Sequence, residues 1–277
     1  MQIRAGYEIS YDCAQPTPMI LTLSVHPSRI DDLITLDRMR LEPFMVPNTY
    51  HDNFGNFCHV IRAPAGRVTM SADFLIKDSG EPDASVIEAE QHALEDLPVN
   101  TLVFLLGSRY CETDRLSNEA WSLFGGVPKG WPLVQTICNY VHDRIKFGYE
   151  HASPTKTAWR AHQEGRGVCR DFAHLAITLC RCMNIPARYC TGYLGDIGVP
   201  PNPAPMDFSA WFEVYLGDRW YTFDARHNTP RIGRILMGRG RDATDVAIVT
   251  SFGPCNMVGF KVVTEEAPCA GDARVPP

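Results

Sequence analysis

Cys169 lies in Gly165-Arg-Gly-Val-Cys-Arg-Asp-Phe-Ala-His174, a glycine-rich turn running into an apolar helix. A cysteine in the first turn of a helix is placed to attack a carbonyl. Its thiolate is the nucleophile, and the positive end of the helix dipole and the free N–H groups there favour that anion. The same N–H groups can receive the oxygen of a tetrahedral intermediate. A buried structural cysteine beside a helix cap would have a similar sequence, so Cys169 alone does not settle the chemistry.

Two segments further on supply the test. Ser209-Ala-Trp-Phe-Glu-Val-Tyr-Leu216 and Arg219-Trp-Tyr-Thr-Phe-Asp224 read as strands flanking Gly217-Asp218, a two-residue hairpin turn. In that register Leu216 pairs with Arg219, Trp211 falls opposite Asp224 and Ser209 falls opposite Arg226. Positions 209 and 224 then share a face as diagonal neighbours, roughly 7 to 8 Å apart between backbones. An imidazole and a carboxylate would close that gap, whereas a serine hydroxyl does not. A slip of one residue would put the two on opposite faces, so the inference depends on the turn.

Other histidines are weaker candidates for a base. His174 lies five residues after Cys169, rotated about 140° around a helix, and is expected to face away as a core or supporting residue. His227, three residues beyond Asp224, could curl back from its loop, but is read first as a solvated turn histidine. His142 and His151 have no expected geometry toward the thiol. Asp171 in a first helical turn suits the dipole, and Arg170 is expected to pair with a carboxylate. Trp211 and Trp220 read as core or pocket wall, and Glu213 as an inert strand residue on the face of Ser209.

The elements that must hold these residues are legible as patterns. Leu133, Val134, Ile137, Val141 and Ile145 form one stripe at helical spacing. A second stripe, Phe172, Leu175, Ala176, Leu179 and Met183, starts at the thiol and is stopped by Asn184-Ile-Pro186. Strand-like Arg188–Leu194, a Pro-rich loop over 199–205 and the hairpin follow. Upstream, Met19–Val25, His59–Arg62 and Arg67–Ile76 have strand character between turn residues, which predicts an antiparallel sandwich. Lys77–Ser85 is a polar breaker. The expected division is a β-rich domain over 1–85, a catalytic domain over 86–264 and a loose tail over 265–277. Helices followed by a sheet make the class α+β.

Composition narrows the function classes. The 277 residues are 45% hydrophobic and 21% charged with a net charge of -6, and no Lys/Arg run interleaved with aromatics appears, so no nucleic-acid partner is expected. No signal-peptide pattern or membrane-spanning stretch is read, so no membrane partner is expected and a cytoplasmic location is. Ten cysteines show neither framework spacing nor a Cys-x-x-Cys pair. Cys180 and Cys182 project about 200° apart on a helix, which argues against a shared metal. Thiol acyl chemistry requires no cofactor.

The segment from about Thr155 to Thr229 resembles the transglutaminase-like superfamily, in its bacterial branch of cysteine-protease-like proteins. The match rests on Gly-Val-Cys169-Arg-Asp-Phe-Ala-His, the Ala210-Trp211-x-Glu213-Val214-Tyr215 strand and Trp220-x-x-x-Asp224. The resemblance implies a papain-like core, helices packed on an antiparallel sheet, preceded by a β-sandwich-like domain. It also implies a Cys-His-Asp triad attacking amide carbonyls of a peptide, protein or small amide. Carried over residue by residue, the nucleophile is Cys169, the carboxylate Asp224 and the histidine position Ser209. The zinc motifs of peptide N-glycanases and the Arg-Gly-Gly-x-Cys of arylamine acetyltransferases are not matched.

The expected consequence is a crippled enzyme, because loss of one triad member costs about 10⁴ to 10⁶ in turnover. The thiol would then titrate near its free value of about 8.5. The alternative is a noncatalytic binding protein that keeps the cleft. A natural loss or a deliberate exchange would both leave serine here, and the intact neighbours favour exchange.

Overall fold

The computed structural model describes residues 1–268. Its first part runs β1 (Gln2–Cys13), β2 (Thr17–Leu21), β3 (Arg40–Glu42), β4 (Asn48–His51), β5 (Phe57–Ala63) and β6 (Gly66–Lys77). Four helices and two short strands follow: α1 (Thr113–Phe124), α2 (Trp131–Arg144), β7 (Lys146–Phe147), α3 (Ala158–Glu164), β8 (Arg166–Gly167) and α4 (Cys169–Cys182). The chain ends in β9 (Ala187–Tyr193), β10 (Ser209–Leu216), β11 (Arg219–Phe223), β12 (Ile235–Gly240), β13 (Val249–Ser251) and β14 (Cys255–Ala267).

Alternation builds the N-terminal sandwich. Ile3, Ala5, Tyr7 and Ile9 of β1 and Val68, Met70, Ala72, Phe74 and Ile76 of β6 point to one side. They meet Met19, Leu21, Ile61 and Ala63 of β2 and β5 in a common core, each large aliphatic side chain contributing roughly 1.5–3 kcal/mol by burial. The sheet orders are β14-β1-β6-β3 and β13-β2-β5-β4. Both sheets therefore borrow strands from the far end of the sequence, and this corrects the expected boundary at 264. β13 pairs with β2, and β14 runs antiparallel to β1 from Cys13↔Cys255 to Gln2↔Ala267. The first residues assigned to a loose tail, Glu265 to Ala267, are strand, while 269–277 lie outside the described residues.

The second unit is helices on an antiparallel sheet of order β11-β10-β9-β12. α4 is its axis: every residue from Asp171 to Cys182 is buried, as a helix with protein on all sides requires. Phe172, Leu175, Ala176 and Leu179 share a core with Leu133, Val134, Ile137 and Val141 of α2 and with Ala210, Phe212, Val214 and Leu216 of β10. Leu116, Ala120 and Phe124 bring α1 onto it. The helix stops where expected, with Asn184 at a φ of 63°, a left-handed conformation asparagine tolerates. The two units are not separate bodies. Tyr193, Phe208, Ile235 and Met237 of the second lie in the core of the first, and Phe208 packs against Tyr7, Tyr193 and Phe260.

Candidate active site

The approach to Cys169 is fixed by two glycines. Gly165 ends α3 at a φ of 62°. Gly167 is needed because a Cβ there would meet Asp171 Oδ2 at 2.5 Å. That oxygen caps the helix, accepting the Val168 N–H at 2.8 Å, so Asp171 supports the first turn as its position suggested. Arg170 departs from expectation: its Nη2 donates to the Ser153 carbonyl at 2.7 Å rather than to a carboxylate.

The hairpin has the register that the turn predicts. Gly217 and Asp218 have φ values of 48° and 65°, the twist of a tight hairpin turn, and the ladder runs from Leu216↔Arg219 to Phe212↔Phe223. The ladder ends there, and Asp224 is the first residue beyond β11. The Cys169 sulfur lies against the other end of β10, where the Ala210 and Arg170 backbone N–H groups face it. Ser209 is the first residue of that strand, buried, and its Oγ has no hydrogen-bond partner among the described residues.

Burial pushes the Cys169 thiol up to about 11, with Asp207 raising it further and Arg226 opposing. This exceeds the expected free value, so near neutral pH the resting sulfur carries its proton. Burial likewise raises the Asp224 carboxyl, but the Arg234 guanidinium and His227 outweigh it and hold the carboxyl well below the usual range.

Asp224 is the most heavily engaged group in the site. Its Oδ1 accepts the backbone N–H groups of Arg226 and His227 at 3.0 and 3.1 Å. Its Oδ2 accepts Arg234 Nη2 at 3.0 Å and lies 2.8 Å from His227 Nδ1. His227 is thus a partner of the carboxylate, which corrects its reading as a solvated turn residue. The turn is held from α2: His142 Nδ1 donates toward the Ala225 and Arg226 carbonyls at 3.2 and 3.0 Å, and Asn228 bonds Gln135 and Asn139. His174 is buried, stacked on Tyr110, and its Nε2 accepts the Ala243 N–H. Glu213 is ion-paired with Arg188. His151 abuts Glu150.

A cleft is lined by Tyr149, Asp207, Ser209, Arg226, His227 and Arg231 among others; Cys169 does not itself line it, but Asp207 and Arg226, which act on the thiol, do. A larger one, about 290 Å³, includes Trp211, Arg234 and Arg239, but neither Cys169 nor Ser209 lines it. Asp207 and Arg226, the charges that act on the thiol, were not singled out from the sequence. Each stands within two residues of a candidate, Asp207 before Ser209 and Arg226 after Asp224, and that proximity was the available signal.

Residues 124–225 match the model of the transglutaminase-like superfamily core, and the chain carries such a core. Over its whole length it is 28% identical to a crystal structure of a "Putative Cysteine Protease" from Cytophaga hutchinsonii, with a TM-score of 0.82, covering 93% of that chain. It is also similar to two uncharacterized mycobacterial proteins. One, from Mycobacterium leprae, is 26% identical over 77% of this chain and 78% of its own length. The other, from Mycobacterium tuberculosis, is 27% identical over 72% of this chain and 69% of its own.

Proposed function

We propose that this chain is a cysteine-dependent acyl-transfer enzyme that opens amide bonds of a peptide, protein or small amide through a thioester on Cys169. Its turnover is reduced because position 209 offers a hydroxyl where an imidazole belongs. What supports this reading is that the sulfur at the start of α4 faces the N–H of Ala210, the residue next to Ser209, and that Asp224 is the first residue after the strand paired with β10. Hydrolysis is favoured over cross-linking, since nothing in the cleft selects a second amine over water. No cofactor is called for, and neither nucleic acid nor membrane is a partner. Among the described residues no helix is long and apolar enough to cross a membrane, and the nine described cysteines are free thiols.

The buried, unpartnered Ser209 hydroxyl favours one competing reading, a binding protein that keeps the cleft without turnover. Ser209→His separates the two. Supplying a positioned acid and base is worth about 10²–10⁴-fold, so a gain of that order in amide or activated-ester turnover, abolished by Cys169→Ser, is the expected result. No gain over a broad panel of amides would leave the binding reading.

A further inference from the structure

Resting on the reading of Cys169 as nucleophile, we propose that residual turnover in this chain runs through His227, which supplies from the turn after β11 the imidazole that position 209 lacks. The case begins with the tautomer. An ionised carboxylate only accepts hydrogen bonds, so the 2.8 Å contact with Asp224 Oδ2 places the proton of His227 on Nδ1 and leaves Nε2 as the basic nitrogen. A carboxylate that orients an imidazole in this way is the arrangement a general base for a thiol requires.

The ring is also held in place. Both backbone N–H groups flanking the turn grip Asp224 Oδ1, the Asn228 N–H closes on the Asp224 carbonyl at 2.7 Å, and α2 ties down Ala225, Arg226 and Asn228. His227 lines the same cleft as Ser209, with 24% of its side chain exposed, so a substrate can reach it. Position 209 has the complementary property. Asp224 Oδ2 is already shared by His227 and Arg234, and a second imidazole at 209 would compete for it. A serine leaves that carboxylate to His227. A relocated base also accounts for intact neighbours around Ser209 without a deliberate exchange.

The thiol and the imidazole are not hydrogen-bonded to each other at rest, so the proton crosses through one water or as substrate tightens the cleft. His227 Nε2 takes the S–H proton as sulfur bonds to the carbonyl carbon, and returns it to the nitrogen as the C–N bond breaks. Water then attacks the thioester and gives a proton to Nε2. The C–S bond breaks, and the imidazolium reprotonates the sulfur. The charged and titratable groups facing this exchange are Asp224, Arg234, Asp196, Asp207, Arg226, Arg231 and the Tyr149 hydroxyl.

His227→Asn tests the proposal, because its amide can still donate to Asp224 while offering no basic nitrogen. Iodoacetamide labelling of Cys169 and hydrolysis of p-nitrophenyl acetate would be followed from about pH 5 to 10 in the full chain. The variants are His227→Asn, Ser209→His and the double variant, with Cys169→Ser as blank. In the original chain both reactions should run measurably at neutral pH. His227→Asn should lower the neutral rates about tenfold or more, and Ser209→His should restore them in the double variant. If His227→Asn matches the original chain at every pH while Ser209→His alone is fast, His227 is not the base and the nucleophile reading stands. If Ser209→His also labels no faster than a free thiol, the reading of Cys169 itself falls, and this proposal with it.

Discussion

Arg234 Nη2 lies 3.0 Å from Asp224 Oδ2, and the same guanidinium donates through Nε to Asp83 at 2.9 Å and stands 5.0 Å over the Trp211 ring. One buried cation thus ties the carboxylate of the site to the polar stretch before the helices. Asp83 also accepts the Arg231 N–H at 2.9 Å, so the stretch read from sequence as a breaker is a clamp. Arg234→Met would leave the buried Asp224 carboxylate and the half-buried Asp83 without their cation. Breaking a buried pair in this way costs about 3–5 kcal/mol, and urea unfolding near neutral pH should read a loss of that size. A change below about 1 kcal/mol would mean that the cluster contributes little to stability.

Asp224 should also leave a mark on acid stability. Its folded pKa is depressed below the unfolded value of about 3.9. Its contribution is therefore present above that value and is lost as pH falls, because the unfolded chain binds the proton first. Denaturation midpoints from about pH 5 down to 2 should fall steeply in the original chain and less steeply in Asp224→Asn. Parallel curves would show that other carboxylates carry the slope.

Opposite charges flank the thiol, so the two substitutions should move it in opposite directions. Asp207→Asn removes a charge that raises the Cys169 pKa, and should bring it below about 11. Arg226→Gln removes the opposing charge and should push it further up. Ultraviolet absorbance of the thiolate against pH reads both shifts, using Cys169→Ser to subtract the remaining cysteines. Equal curves would place these charges too far from the sulfur to matter.

Much of this site could be read without coordinates, and the division between what could and what could not has a physical cause. Gly217-Asp218 fixes a turn, the turn fixes the register, and the register pairs the strands from Leu216 with Arg219 to Phe212 with Phe223; each step is local. The stripe from Phe172 to Met183 is equally local. Leu116, Ala120 and Phe124 show the same spacing in α1, a signal present but passed over. The pairing of β14 with β1 and the bond from Arg234 to Asp83 join residues far apart in sequence, and no periodicity encodes such a partner. His227 was visible three residues from Asp224, but whether its ring turned inward depended on the α2 side chains beneath the turn.

Arg181 provides a test of the axis that carries the thiol. Although buried in α4, it has no carboxylate partner among the described residues. It donates instead to the carbonyls of Leu106, Ala187 and Arg241 and to Ser108 Oγ. Arg181→Met would strand several buried acceptors at about 1–3 kcal/mol each, so a loss of at least about 3 kcal/mol in thermal or chemical unfolding is expected. Arg181→Lys should recover part of it, since an ammonium has three donors where the planar fork has five. A stable Arg181→Met variant would show that the backbone finds other partners.

The strand that closes the sandwich is synthesised after every residue of the cleft. β14 must find β1 across nearly the entire chain, and closing so long a loop before any contact rewards it makes assembly slow. β14 also braces the cleft, since the Thr264 N–H meets Met206 and Phe260 packs on Phe208. A ribosome-bound intermediate ending before residue 255 would hold the thiol and the hairpin without that brace. The first and last strands of the described fold therefore jointly shore up the wall of the cleft.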